Sequence, residues 1–184
     1  MKKFIIASDI HGSAYWCEQL LLTWESEGAE KLILLGDLLY HGPRNDFPEG
    51  YSPKKVFDML NCIKEKILCV RGNCDSEVDQ MVLEFPILAD YAHMECDGRN
   101  FFLTHGHLFN AEKQPLLHKG DVLCNGHFHA PANYELENGA IYVNCGSVSL
   151  PKDGTPHSYL LYDDGTLYFK DLETGGIFDC LQLR

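Results

Sequence analysis

The sequence predicts an α/β protein of two packed sheets with helices on the outside. Three observations lead there. Residues 3–70 alternate short apolar runs with amphipathic segments. Residues beyond 85 break into many short strand-like runs separated by turn residues. The chain has 184 residues, enough for one domain but short for two ordinary ones.

Each element has its own reason. Residues 3–8 form an apolar run that reads as a buried strand. Residues 14–27 carry Trp16, Leu20 and Trp24 at helical spacing and read as a helix. Residues 31–35 are a second buried strand. Ser52-Pro53 looks like a helix cap with proline in the first turn, so a helix should run to about residue 64. Residues 67–70 make a third strand. This strand–helix–strand–helix–strand order implies right-handed parallel crossovers. Then come short strands at 91–96, 100–104, 121–124, 134–137, 140–143, 158–162, 167–171 and 177–183. Asp97-Gly98, Asn138-Gly139 and Asp164-Gly165 are hairpin-turn signals between them. No repeat, low-complexity tract or linker divides the chain, so residues 1–184 are expected to be one domain.

Composition narrows the function classes. Hydrophobic residues make up 45% and charged residues 23%, which excludes a disordered chain or a coiled coil. Fifteen Lys and Arg stand against 27 Asp and Glu, a formal charge of −12. Such a chain lacks the basic stripe that wraps long nucleic acid. Phosphate substrates stay possible, because bound metal ions reverse the local sign. The eight cysteines contain no Cys-x-x-Cys pair, which argues against a zinc ribbon or a thioredoxin-like motif. The run Phe4 to Ala7 is too short for a signal peptide core and meets Asp9 and His11, and no apolar stretch approaches a membrane span. A cytoplasmic protein with reduced thiols and no membrane partner is expected.

Five apolar runs end alike, with a metal-capable residue beside a glycine: Ser8-Asp9-Ile10-His11-Gly12, Leu35-Gly36-Asp37, Arg71-Gly72-Asn73-Cys74-Asp75, Thr104-His105-Gly106-His107 and Asn125-Gly126-His127-Phe128-His129. The carboxyl ends of parallel strands form the ligand crevice of an α/β sheet. Asp9 and His11 are two apart, which on an extended strand end projects both to one side; His127 and His129 share that spacing. Carboxylates, an amide oxygen and several imidazoles suit Mn²⁺, Fe²⁺, Ni²⁺ or Zn²⁺, whereas magnesium or calcium would use oxygen almost alone. Asp9, His11, Asp37, Asn73, His105, His127 and His129 are too many ligands for one tetrahedral ion. They suit two ions sharing a carboxylate, a known arrangement for phosphoester hydrolysis. Each piece alone reads as a turn. Five in order, each closing an apolar run, do not.

These pieces resemble the motif set of the calcineurin-like metallophosphoesterases. More narrowly, Tyr40-His41-Gly42-Pro43-Arg44-Asn45, Pro48-Glu49-Gly50-Tyr51 and Arg71-Gly72-Asn73-Cys74-Asp75-Ser76-Glu77 resemble the bacterial YfcE-type phosphodiesterases. The resemblance implies a four-layer αββα sandwich and a phosphodiesterase acting on a small soluble substrate. It further implies two divalent ions, Mn²⁺ first among the four, and a hydroxide between them as nucleophile. Under it Asp9, His11 and His129 hold one ion, Asn73, His105 and His127 the other, and Asp37 bridges them. Asn73 also counts as catalytic, since its amide can ligate through oxygen while its NH₂ meets a phosphate oxygen. Many family members carry histidine after that asparagine, and this chain has Cys74. A thiol is a weak donor and supplies no cation, which predicts a preference for diesters or good leaving groups over poorly activated monoesters. Asp75 is expected to act beside it directly, to orient the neighbouring group, or to receive a backbone cap.

Arg44 and His41 are the candidates for substrate binding, because a guanidinium grips phosphate bidentately and His41 shares the loop. His107 is expected to steady the His105 loop. His93, His118 and His157 read as ordinary loop residues, Trp16 and Trp24 as core, and the remaining cysteines as small buried hydrophobes. Two other function classes stand beside the leading one. One is a non-catalytic interaction module similar to the retromer subunit of this architecture, and the other is a phosphomonoesterase. A homo-oligomer is compatible with the sequence. No Walker or dinucleotide motif names a substrate.

Overall fold

Phe4 and Ile6 face one apolar cluster and Ile5 and Ala7 another, all fully buried. A strand buried on both faces reads as a continuous apolar run, which is why β1 (Lys3–Ala7) shows no alternation. The computed structural model describes residues 3–183. After β1 follow α1 (Ala14–Ser26), β2 (Lys31–Leu34), α2 (Pro53–Cys62), β3 (Ile67–Cys69) and the one-turn α3 (Glu77–Gln80). The second half holds β4 (Ala92–Cys96), β5 (Arg99–Leu103), β6 (Val122–Asn125), β7 (Ala132–Glu135), β8 (Ile141–Asn144), β9 (Ser158–Asp163), β10 (Thr166–Asp171) and β11 (Ile177–Gln182).

The first sheet has the order β11-β10-β9-β1-β2-β3, with β1, β2 and β3 parallel and the rest antiparallel. The second has the order β4-β5-β6-β8-β7, with β5, β6 and β8 parallel between antiparallel edges. The two mixed sheets pack face to face. Phe4, Ile6, Ile33 and Leu160 of the first meet Phe101, Leu103, Val122 and Val143 of the second. On the outer side of the first sheet, Trp16 and Leu20 of α1 and Val56 and Leu60 of α2 cover Ile5, Leu32, Leu34 and Leu161. This is the α/β sandwich expected. The outer face of the second sheet differs in one respect: Phe102, Leu123 and Tyr142 are covered by Phe109, Ala111 and Leu117 from the irregular stretch between β5 and β6.

The remaining differences from expectation have local causes. Ser13 caps α1 by accepting the Trp16 N–H at 3.2 Å. Ser52 makes no side-chain cap for α2. Proline in the first turn starts that helix, while the Ser52 N–H is spent on the Gly12 carbonyl at 2.7 Å. β7 begins two residues earlier than the turn signal suggested, because its register to β8 pairs Ala132 with Asn144. α3 has a reciprocal capping box between Ser76 and Asp79. His157 is no plain surface residue: it stacks on Trp16 at 3.6 Å and donates to the Val148 carbonyl at 2.8 Å. Of the cysteines, Cys62 and Cys180 are exposed and Cys74 is half-buried, while the other five are buried; all are free thiols. Asp97-Gly98 and Asp164-Gly165 both take positive φ at each residue, the twist that suits two-residue hairpins.

Candidate metal centre

All the parallel strands run toward one end of the sandwich. Asp9 and His11 follow β1, Asp37 follows β2, Asn73 to Asp75 follow β3, His105 follows β5, and His127 and His129 follow β6. The loops are bound to each other there by main chain. Asp9 N–H donates to the Gly36 carbonyl at 3.1 Å, His11 N–H to the Asp37 carbonyl at 2.9 Å, and Gly126 N–H to the His105 carbonyl at 2.9 Å. Side chains cross-link further. Asp9 Oδ2 accepts the His127 N–H at 2.9 Å and Asp37 Oδ1 accepts the Cys74 N–H at 2.8 Å. Ser147 and Ser149, after β8, donate their hydroxyls to the Asp9 carbonyl, each at 3.0 Å.

The histidine tautomers follow from their outer partners. His11 Nδ1 donates to the Tyr40 carbonyl at 2.8 Å, His129 Nδ1 to the Leu150 carbonyl at 2.6 Å and His105 Nδ1 to the Leu35 carbonyl at 2.7 Å. In its neutral form each imidazole therefore turns the Nε2 lone pair inward. His11 Nε2 and His129 Nε2 lie 3.3 Å apart, and Asp9 Oδ1 lies 3.4 and 3.2 Å from them. Asp9 Oδ1 is buried and has no hydrogen-bond partner. Around His105 Nε2 stand Asn73 Oδ1 at 3.1 Å, His127 Nδ1 at 3.2 Å and Asp37 Oδ2 at 3.4 Å. Asp37 Oδ2 is also 3.7 Å from His11 Nε2, so its carboxylate lies between the two groups. Imidazole nitrogens and carboxylate oxygens this close favour a cation among them, a proton or a metal ion. An orphaned carboxylate oxygen and a donor set of imidazole, carboxylate and amide oxygen fit borderline divalent ions.

The electrostatics carry the same sign. Burial works to raise Asp9, yet His105, His11 and His129 hold its carboxyl well below the usual range. Asp37 is likewise lowered, with burial outweighed mainly by His105. Burial alone would lower His105, but the Asp9 and Asp37 carboxylates push it up to about 9. His127, beside a charged His105, is held down at about 4 by burial and that neighbour.

All seven ligand candidates thus come together. The same-side expectation from two-residue spacing is met only in part. Asp9, His11, His127 and His129 take positive φ of 60°, 48°, 65° and 61°, not extended backbone. Asp9 and His11 still meet. His127 and His129 diverge, one toward His105 and the other toward His11.

The other site candidates are distributed differently. A pocket of about 260 Å³ opens over the cluster, lined by Gly42, Pro43, Arg44, Asn45, Cys74 and Lys152 besides ligand candidates. Arg44 is therefore in the wall. His41 is not; its ring packs on Phe47 at 4.5 Å and Tyr51 at 5.4 Å. The Cys74 thiol is pushed up by burial and by the Asp37 carboxylate, so it stays protonated. Asp75 faces away from the pocket. Its Oδ2 accepts the N–H groups of Asp37 at 2.8 Å and Gly72 at 2.7 Å, and its Oδ1 accepts that of Leu38 at 2.9 Å. Burial and the Asp37 charge raise it to about 6 against these three donors. His107 stacks edge-on at 5.4 Å from His105, as a neighbour of that loop. Sequence reasoning missed Lys152 and Asn45. Asn144-Cys145-Gly146-Ser147, another polar strand end with a glycine, is the signal that leads to Lys152.

Two sheets whose parallel strands deliver aspartate, asparagine and histidine to one pocket define a class, that of metal-assisted phosphoesterases. The chain belongs to the calcineurin-like phosphoesterase superfamily, whose domain matches residues 1–166. It is 49% identical over 167 residues to the phosphodiesterase YfcE of Escherichia coli strain K12, spanning 91% of this chain and 90% of that one. It superposes on the solved structure of YfcE, a phosphoesterase from E. coli, with a TM-score of 0.96 at 45% identity, covering 99% of this chain and 100% of the other. A zinc-complexed Vps29 from Entamoeba histolytica shares the fold alone, with a TM-score of 0.62 at 18% identity over 99% of both chains.

Proposed function

We propose that this chain is a metal-dependent phosphodiesterase acting on a small soluble phosphoester in the pocket above the strand ends. The observation that carries the reading is the convergence of inward lone pairs on a buried, partnerless Asp9 oxygen, in a chain 49% identical to a phosphodiesterase. Asp9, His11 and His129 would hold one divalent ion, Asn73, His105 and His127 a second, and Asp37 would be shared. Mn²⁺ is the first candidate, with Fe²⁺, Ni²⁺ and Zn²⁺ behind it. Bound there, the pair of ions supplies a water-derived nucleophile at neutral pH and neutralises charge on the phosphoryl oxygens.

The chain's own residues do the rest. The carbonyls of Tyr40, Leu150 and Leu35 orient the three imidazoles. The Asn73 NH₂ is free to turn from the Cys74 sulfur, 3.2 Å away, to a phosphate oxygen. Arg44 stands in the pocket wall as a substrate-binding residue. His41 supports that loop from behind through its aromatic neighbours. Asp75 acts as a positioning residue. A cytoplasmic setting that keeps the eight thiols reduced belongs to the same reading.

Hydrolysis of bis-p-nitrophenyl phosphate on adding Mn²⁺, with Asp37→Ala as control, is the test. A metal-dependent rate that the variant loses supports the reading. No metal-dependent rate, or an unaltered variant, defeats it. Cys74 sets the ester preference in this account. It is a neutral, weak donor where a histidine would place a cation near the leaving group. Cys74→His should raise the rate on p-nitrophenyl phosphate relative to the diester by about tenfold, at the scale of one added charge-assisted contact. An unmoved ratio removes Cys74 from the account of specificity.

A further inference from the structure

Lys152 stands in the pocket wall, and the proposed metal set makes no use of it. Its position is built into the fold. Lys152 N–H donates to the His129 carbonyl at 3.0 Å. The Lys152 carbonyl accepts the Thr155 N–H at 3.0 Å and the Thr155 hydroxyl at 2.7 Å. His129 itself donates from Nδ1 to the Leu150 carbonyl at 2.6 Å. The loop bearing Lys152 is therefore fastened to the same imidazole that would hold a metal. Arg44 comes from the wall beside Cys74. Its turn is closed by Asn45 N–H on the Gly42 carbonyl at 3.3 Å and by Asn45 Nδ2 on the His41 carbonyl at 2.8 Å. That turn lies against the thiol: a Cβ on Gly42 would stand 3.3 Å from Cys74 Sγ. Both cationic side chains are exposed, and neither has an ion pair among the described residues.

Two cations at one rim exceed what the reaction requires. Two divalent ions over Asp9 and Asp37 already leave the floor positive, and a phosphodiester brings one negative charge. In a chain of net charge −12, leaving Lys152 and Arg44 unpaired beside one pocket concentrates positive potential where a ligand enters. Lysine offers a point charge on a long stem and arginine a planar fork, so together they accommodate an anion whose geometry is not that of the scissile phosphate.

We propose that Lys152, with Arg44, binds a second anionic group, a phosphate or carboxylate, carried on one arm of the phosphodiester substrate. The proposal rests on the phosphodiesterase reading and names the substrate class within it. Lys152 and Arg44 then select for doubly anionic esters, and the metals act on only one of the two groups.

Thymidine 5′-(p-nitrophenyl phosphate) and its 3′-phosphorylated form differ only in that second anion. The wild type should favour the 3′-phosphorylated ester in kcat/KM by about tenfold or more at low ionic strength, and Lys152→Gln should remove about tenfold of the preference, chiefly through KM. Arg44→Gln should lower it too, while Lys113→Gln, an exposed lysine outside the pocket lining, should not. Calorimetry gives a readout apart from turnover. Thymidine 3′,5′-bisphosphate should bind Lys152→Gln about tenfold more weakly than wild type, with little change for thymidine 5′-monophosphate. A wild type without preference, or a Lys152→Gln variant that slows both esters equally, overturns the proposal while metal-dependent hydrolysis of bis-p-nitrophenyl phosphate leaves the diesterase reading standing. Absence of that hydrolysis as well overturns both.

Discussion

Five of the seven ligand candidates, Asp9, His11, Asp37, His127 and His129, have positive φ, a region that non-glycine residues rarely occupy. Such conformations cost on the order of 1 kcal/mol each and persist where the surroundings dictate them. Asp75 is the clearest of these surroundings. One buried carboxylate takes three N–H groups, from Asp37, Leu38 and Gly72, and thereby joins the loop after β2 to the loop after β3. Asp75→Asn keeps the shape but turns an NH₂ toward an N–H, so at least one of the three bonds is lost. The variant should bind Mn²⁺ about tenfold or more weakly by calorimetric titration, as is typical when the support of a metal ligand is removed. It should also lose about 2 kcal/mol of stability. Equal metal affinity in the variant and the wild type would make the clamp purely structural. The ligand candidates were legible in the sequence because aspartate, asparagine and histidine recur beside glycines at strand ends. The left-handed turns, the joining of two loops by Asp75 and the place of Lys152 were not. Each depends on how the loops meet in space, a fact that no local spacing encodes.

At the scale of elements, β2 and β3 approach so closely beyond their ends that only glycine fits. A Cβ on Gly72 would meet Asp37 Oδ1 at 2.0 Å and Asp37 N at 2.3 Å. Gly72→Ala must therefore push Asp37 aside. We expect folded protein by circular dichroism that takes up less than half the metal of the wild type. Full metal content in a folded Gly72→Ala protein would mean that Asp37 is not a shared ligand. Helix α1 is fixed at its far end by Glu27, which binds Lys170 of β10, receives the Tyr159 hydroxyl of β9 at 3.3 Å and lies 3.7 Å from Lys3 of β1. Burial works to raise Glu27, but the Lys170 and Lys3 ammonium groups outweigh it and hold it below 4.5. A carboxyl lowered on folding contributes stability that is complete above its unfolded value and is lost as the pH falls through the folded one. Glu27→Gln should cost about 1 kcal/mol at pH 7, since the group is partly exposed, and its deficit should shrink in acid melts below pH 4.5. A deficit independent of pH would assign the loss to packing. The parallel strands and the helices they alternate with were legible from apolar runs and caps. The layer over Phe102 and Tyr142 was not, because an irregular chain has no period to read.

For the whole molecule, the apolar cluster between the sheets ties function to stability. Phe4 stacks on Tyr162 at 4.6 Å and meets Phe101 edge-on at 5.6 Å, so both sheets share one aromatic contact set. We propose on this basis that residues 1–184 form one domain, in which neither sheet melts alone. The formal charge of −12 includes Asp9 and Asp37, and two divalent ions would bring it to −8. Their binding would relieve repulsion in a cluster contributed by both sheets. Loops after β1, β2 and β3 come from the first sheet, and those after β5 and β6 from the second. A ligand that binds only the folded state adds about 2.7 kcal/mol at a hundredfold excess over its dissociation constant. Because the donors span the sheet–sheet boundary, that energy must stabilise both sheets together. Mn²⁺ should therefore raise the melting temperature of chelator-treated protein by several degrees, in a single calorimetric transition before and after addition. Asp37→Ala should melt as one transition with little or no Mn²⁺ shift. Two separable transitions, only one of them responding to metal, would mean that the sheets are independent units and that the centre belongs to one of them.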